Sequence, residues 1–197
     1  MNNFPPKTNY EREAQAALEF LISVIGKEKA VYMSAPITSG KRLIEFHKKN
    51  GSHLKPKYIY STKDISIQVA KYNRLHAEDI AKKVRRKING MVIDPTLVAD
   101  LNGWTQDDYR FLWGKVIEKY ASTVVCIDDW NYSNGCAYEF LIATQSKIET
   151  LDENLNSLSL DKGMILIQRA IEDLEQCLLP TNFLQSVIAE LSKLNHF

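Results

Sequence analysis

Three short apolar runs, each preceded by a helical pattern and each broken off at a turn, constrain this chain more than any other feature. "KAVYMSAPI" stops at Pro36 and runs into the loop "TSGKR"; "MVIDP" stops at Pro95; "TVVCI" stops at two aspartates and Trp130. Before the first run, residues 11–26 carry Ala14, Leu18, Leu21 and Ile25 at helical spacing, with Gly26 as a stop. Before the second, Ile65, Val69, Tyr72, Ile80, Val84 and Ile88 mark a long amphipathic helix closed by Asn89 and Gly90. Before the third, a helix opens at "TQDD", where Thr105 and Asp108 stand in the reciprocal capping arrangement. A fourth helical pattern follows over residues 135–148. This alternation is the pattern of parallel α/β units, and strands so short and apolar suit a sheet covered on both faces. The expectation is a three-layer α/β sandwich with a parallel sheet of about five strands. Residues 30–35, 91–94 and 123–128 are three of them.

The 197 residues leave room for an appended element beyond that unit. Residues 1–150 are read as the α/β domain and 151–197 as a linker and C-terminal helical segment. The polar stretch "ETLDENLNSLSLDKG" leads into two helical patterns, 164–179 and 182–194, separated by "PT". Leu166, Ala170, Leu174, Leu178, Val187 and Leu191 are expected to pack on the main domain or on another subunit. Residues 43–62, rich in lysine, read as an irregular surface excursion.

Residues 41–90 hold 14 Lys and Arg against 4 Asp and Glu, a local balance of +10, although the whole chain is only +1. These basic residues lack interleaved aromatics, so a solvated helix face or attraction of a small anion is expected before nucleic-acid binding. Cys126, Cys136 and Cys177 show neither metal-ligand nor disulfide spacing, and a reduced cytoplasm is the expected compartment. The first residues lack the blocks of a signal peptide, and no apolar run approaches bilayer-spanning length.

In open parallel sheets the ligand crevice lies beyond the carboxyl ends of the strands. The loops "SAPITSGKR" and "DDWNYSNG" both fall there, which makes them the candidate site. Glu139 is the unusual residue, a carboxylate between Tyr138 and Phe140 about one turn into the fourth helix. It either caps or points outward, or it presents its carboxylate to an electrophilic carbon of a ligand lying over the turn. Ser133, Asn134 and Gly135 offer a small turn whose NH groups suit a phosphate or a sugar hydroxyl, and equally suit a plain helix start. The loop "TSGKR", with Ser39, Gly40, Lys41 and Arg42, offers hydroxyls, backbone NH groups, a lysine and an arginine without the spacing of a P-loop. Arg42 either pairs with a phosphate or is a surface arginine. Asp107 and Asp108 are alternative acids, although capping alone accounts for Asp108. At least one of Asp128 and Asp129 should face the crevice, and Trp104, Trp130 and Tyr138 either stack on a flat ring or pack the core. The four histidines form no ligand or triad spacing, and surface roles account for each. Cys136 lacks an evident histidine partner for nucleophilic chemistry.

Taken together, "VYMSAPITSGKR" and "SNGCAYEFLIA" resemble the two signatures of the nucleoside 2-deoxyribosyltransferase superfamily, with "VIDPT" as the intervening strand and "WTQDDYRFLW" as the acid-bearing segment. The resemblance covers residues 29–148. It implies a Rossmann-like α/β fold and cleavage or exchange of an N-glycosidic bond. By position, Glu139 takes the place of the nucleophile and Asp108, or else Asp107, that of the acid near the sugar or base. Tyr32, Pro36, Ile37, Ser39, Gly40, Arg42, Asp129, Trp130, Ser133 and Gly135 fall in the substrate-binding segments. Serine at position 133, where aspartate would repel phosphate, implies a nucleoside 5'-monophosphate substrate. The resemblance further implies a homo-oligomer, a dimer first, and chemistry that needs no metal or redox cofactor. A nucleotide-binding module without turnover and an NAD glycohydrolase are the alternatives.

Overall fold

The computed structural model describes residues 9–26, 29–50, 63–88, 90–98 and 101–194. Helix α1 (Asn9–Ile25) leads into β1 (Ala30–Ser34), and α2 (Lys41–Asn50) follows the first loop. The long α3 (Lys63–Lys87) precedes β2 (Met91–Ile93), and α4 (Gln106–Tyr120) precedes β3 (Ala121–Cys126). Next come α5 (Asn134–Gln145), β4 (Glu149–Asp152), α6 (Leu160–Gln176) and α7 (Asn182–Leu194).

The strands form one parallel sheet in the order β2-β1-β3-β4, with Tyr32 opposite Ile93 on one side and Val124 on the other. The alternation of strand side chains sorts the core into two faces. Val31, Met33, Val125 and Ile127 face α3, whose Ala77, Ile80, Ala81 and Val84 form a stripe at helical spacing. Tyr32, Val124 and Cys126 face the opposite layer, built by α1, α4 and α5 and continued by α6 and α7. This is the expected three-layer α/β sandwich, with four strands among the described residues.

The departures have local causes. Residues 41–50 are helical rather than irregular, because Leu43 and Ile44 are buried and give the lysine-rich segment one apolar edge. Residues 51–62, the rest of that expected excursion, lie outside the described residues. Tyr72 is 53% exposed, and alanines at 77 and 81 complete the stripe where α3 meets the sheet closely. β4 lies in the stretch read as a linker, and the boundary placed at position 150 falls within it. It is an edge strand held by backbone pairing with β3, and Leu151 is its one apolar side chain. Ile167, Ala170, Ile171 and Leu174 of α6 and Leu184, Val187 and Leu191 of α7 are buried in the same cluster as α5. Leu178 is the exception, 79% exposed. It ends α6 in a left-handed conformation while Leu179 N bonds Leu174 O, so Leu179 is buried in its place.

Among the described residues no helix is long and apolar enough to cross a membrane.

Candidate active site

Strand order places the reversal of chain direction between β1 and β3. From β1 the chain crosses to β2 on one side, and from β3 it crosses to β4 on the other. A crevice opens at such a switch point, beyond the carboxyl ends of the two strands. Tyr32 and Ser34, two residues apart on β1, share the face turned toward α5. From α5, Glu139 reaches down to both. The Tyr32 hydroxyl donates to Glu139 Oε1 at 2.7 Å, and Ser34 Oγ donates to Oε2 at 2.6 Å.

Glu139 is only 8% exposed. Burial pushes its carboxyl up to about 7, against an ordinary value of 4.5, while the Ser34 and Tyr32 hydrogen bonds pull it back toward the ionised form. The same environment holds the Tyr32 hydroxyl well above its ordinary range, through burial first and Glu139 second. Burial, then Glu139, pushes the Cys136 thiol up to about 12, despite hydrogen bonds to Ser133 and Ser34 that favour the thiolate. Cys136 is therefore an inert thiol at neutral pH, not a nucleophile. The Cys126 thiol is raised too, chiefly by burial.

The loops around this carboxylate are tied down by polar contacts. Asn73 of α3 is buried, and its amide donates to the carbonyls of Ile37 and Ser39 at 3.0 and 2.9 Å. Its oxygen accepts from Arg42 at 2.9 Å, and the Arg42 guanidinium lies 3.2 Å from the centre of the Tyr72 ring. Arg42 thus joins α2 to α3. Gly40 has φ +104, where side chains are strained, and a Cβ there would stand 3.3 Å from Asp129 Cβ. That close approach lets Asp129 Oδ2 accept from Lys41 N at 3.1 Å, with Lys41 Nζ 3.5 Å from Oδ1. Asp129 is half-buried with φ 66, and burial, then Asp128, raises its carboxyl above the ordinary value. Asp128 is exposed. Ser133 caps α5 by accepting from Cys136 N, and Gly135 lies in the first turn, which carries no acid.

The other expected site residues lie elsewhere or are occupied. Pro36 is buried in the loop after β1. Trp130 is buried, with its ring centre 4.7 Å from that of Phe140. Asp108 accepts from Thr105 N and Oγ1 in a complete capping box, and Asp107 is exposed and paired with Arg110. Trp104 packs on Tyr109, and the Tyr138 ring packs on Gly114. His76 bonds Glu153 at 3.0 Å and links α3 to the turn after β4, a bridging role rather than a surface one. His53 and His196 lie outside the described residues. Two cavities, one at the carboxyl ends of β3 and β4 and one between the first loop and α3, are not walled by Glu139. Among the described residues no group of three or more His, Cys, Asp or Glu converges as a metal site.

The sequence reading offers Lys41 with the rest of "TSGKR" but misses Ser34 and Asn73. For Ser34 the signal is the period of two from Tyr32. For Asn73 it is a polar residue at a stripe position between Val69 and Ala77. No protein-family model matches the chain, nor does any curated protein or solved structure.

Proposed function

We propose that the protein hydrolyses or transfers the N-glycosidic bond of a nucleoside 5'-monophosphate, with Glu139 as the nucleophile. The observation that carries this reading is the meeting of the two sequence signatures. Tyr32 and Ser34 of the first grip both carboxylate oxygens of Glu139 of the second, at the switch point of the sheet. A carboxylate fixed by two hydroxyls has its orientation set before a ligand arrives, which lowers the cost of reaching the attacking geometry.

In the proposed step a Glu139 oxygen bonds to the anomeric carbon as the bond to the base breaks through an oxocarbenium-like state. The base leaves with the bonding electron pair and takes up a proton from solvent, which the later attack of water on the ester returns. The resulting glycosyl ester is opened by water, which regenerates the carboxylate and releases the sugar phosphate, or by a second base, which completes a transfer. The amino end of α5, capped by Ser133 and free of acids in its first turn, suits the 5'-phosphate.

The test is a panel of nucleoside 5'-monophosphates and their nucleosides, monitored for released base with wild type and Glu139→Gln. The reading expects base release from at least one monophosphate by wild type and its loss in the variant. Full activity in a folded Glu139→Gln protein would overturn it.

A further inference from the structure

A separate cavity, of about 560 Å3, opens between the carboxyl ends of β3 and β4 and one face of α6. Its volume is that of a small-molecule site. Glu139, Tyr32 and Ser34 are not in its walls, although Lys41 and Trp130 of the loops around Glu139 are.

Most charges around it are already used within the protein. Lys41 stands 3.5 Å from Asp129, and Lys162 stands 3.5 Å from Asp152. Glu153 accepts from Asp128 N and bonds His76, Asp173 accepts from the Tyr132 hydroxyl, and Glu172 accepts from the Gln168 amide at 3.4 Å. Two charges of opposite sign are left. Neither the Asp128 carboxylate nor the Arg169 guanidinium has a hydrogen-bond or ion-pair partner among the described residues. Asn131 adds a fixed polar group. It is only 8% exposed, its amide donates to Leu166 O at 2.8 Å, and its oxygen is left without a partner among the described residues at the cavity wall. Trp130, Leu158 and Leu166 supply apolar wall between these groups.

We infer that this cavity binds a small zwitterion, an organic molecule carrying an ammonium group and an acid group. Asp128 and the Asn131 oxygen receive the ammonium, and Arg169 receives the acid. Five carboxylates line the cavity against three cations, so a ligand with acid groups alone meets net repulsion. A ligand with amines alone leaves Arg169 unmatched.

The experiment is calorimetry on the full chain with ω-amino acids from glycine to 6-aminohexanoate. Each is compared with the alkylamine and the carboxylate of the same length. At least one amino acid should bind about tenfold tighter than both single-charge analogues, as expected for one added charge-assisted contact. Asp128→Asn should weaken that amino acid and its amine about tenfold and leave the carboxylate unchanged, and Arg169→Gln should do the reverse. Both positions are exposed, and thermal melts check that the variants fold. Absence of binding across the series, equal binding by a single-charge analogue, or indifference to both substitutions would overturn the assignment.

Discussion

At the residue scale, Glu139 is placed where it costs stability. Its carboxyl titrates at about 7 in the folded chain against 4.5 ordinarily, so the folded state holds a proton that the unfolded state releases. Stability should therefore fall as pH rises from about 4.5 to 7, by roughly 3 kcal/mol in all. Glutamine keeps the shape and can bond both hydroxyls without titrating. Urea unfolding should show Glu139→Gln gaining about 3 kcal/mol more over wild type at pH 8 than at pH 4. A difference that does not change with pH would mean that the carboxyl is not held high. Under the proposed function the same value would set the activity profile, because a carboxylate nucleophile must be ionised. Base release should rise with pH through about 7. Tyr32→Phe removes a hydrogen bond that favours the charged form, so its rise should lie about one pH unit higher. An unmoved profile in that variant would separate Tyr32 from the chemistry. Glu139 was legible because a charge in an apolar helix is conspicuous. The partners of Arg42 were not, since nothing in the spacing distinguishes a guanidinium facing a phosphate from one stacked on Tyr72.

At the scale of elements, legibility followed apolar periodicity. The long helix expected to close at Asn89 and Gly90 and the strand expected at 123–128 were visible because their buried stripes are written in side chains. The structure ends the helix at Lys87 and shifts the strand to Ala121–Cys126. β4 was hidden because backbone pairing to β3 creates it, and its residues are mostly polar. α2 was hidden because five Lys and Arg residues and few apolar ones fill "KRLIEFHKKNGSHLK". The helix–helix contact between α5 and α6 also escaped the pattern, for it depends on an absence. A Cβ on Gly163 would fall on the ring of Phe140, well inside van der Waals contact. Gly163→Ala should therefore cost about 1–3 kcal/mol, even though alanine favours helix. Denaturant unfolding checks this, and an unchanged or raised midpoint would show that the ring moves aside freely.

At the scale of the whole molecule, the sandwich and its crevice were legible, because the order of helices and strands admits few topologies. The place of the last two helices was not, since their apolar faces suited a partner subunit as well as this one. The structure uses those faces internally, on Phe140 and its neighbours, so a dimer would need another surface. A chain ended at Ser159 should accordingly lose the cooperative unfolding transition of the full chain. A sharp transition in the shortened chain, seen by near-ultraviolet circular dichroism, would show that the α/β part stands alone. What the assembled crevice does is tested most directly by mass spectrometry. The protein is incubated with a slow nucleoside 5'-monophosphate analogue, denatured, and digested. The account predicts that the peptide containing Glu139 gains the mass of the sugar phosphate, and that Glu139→Gln gains none. Base release with no adduct on that peptide, or an adduct on another residue, would contradict it.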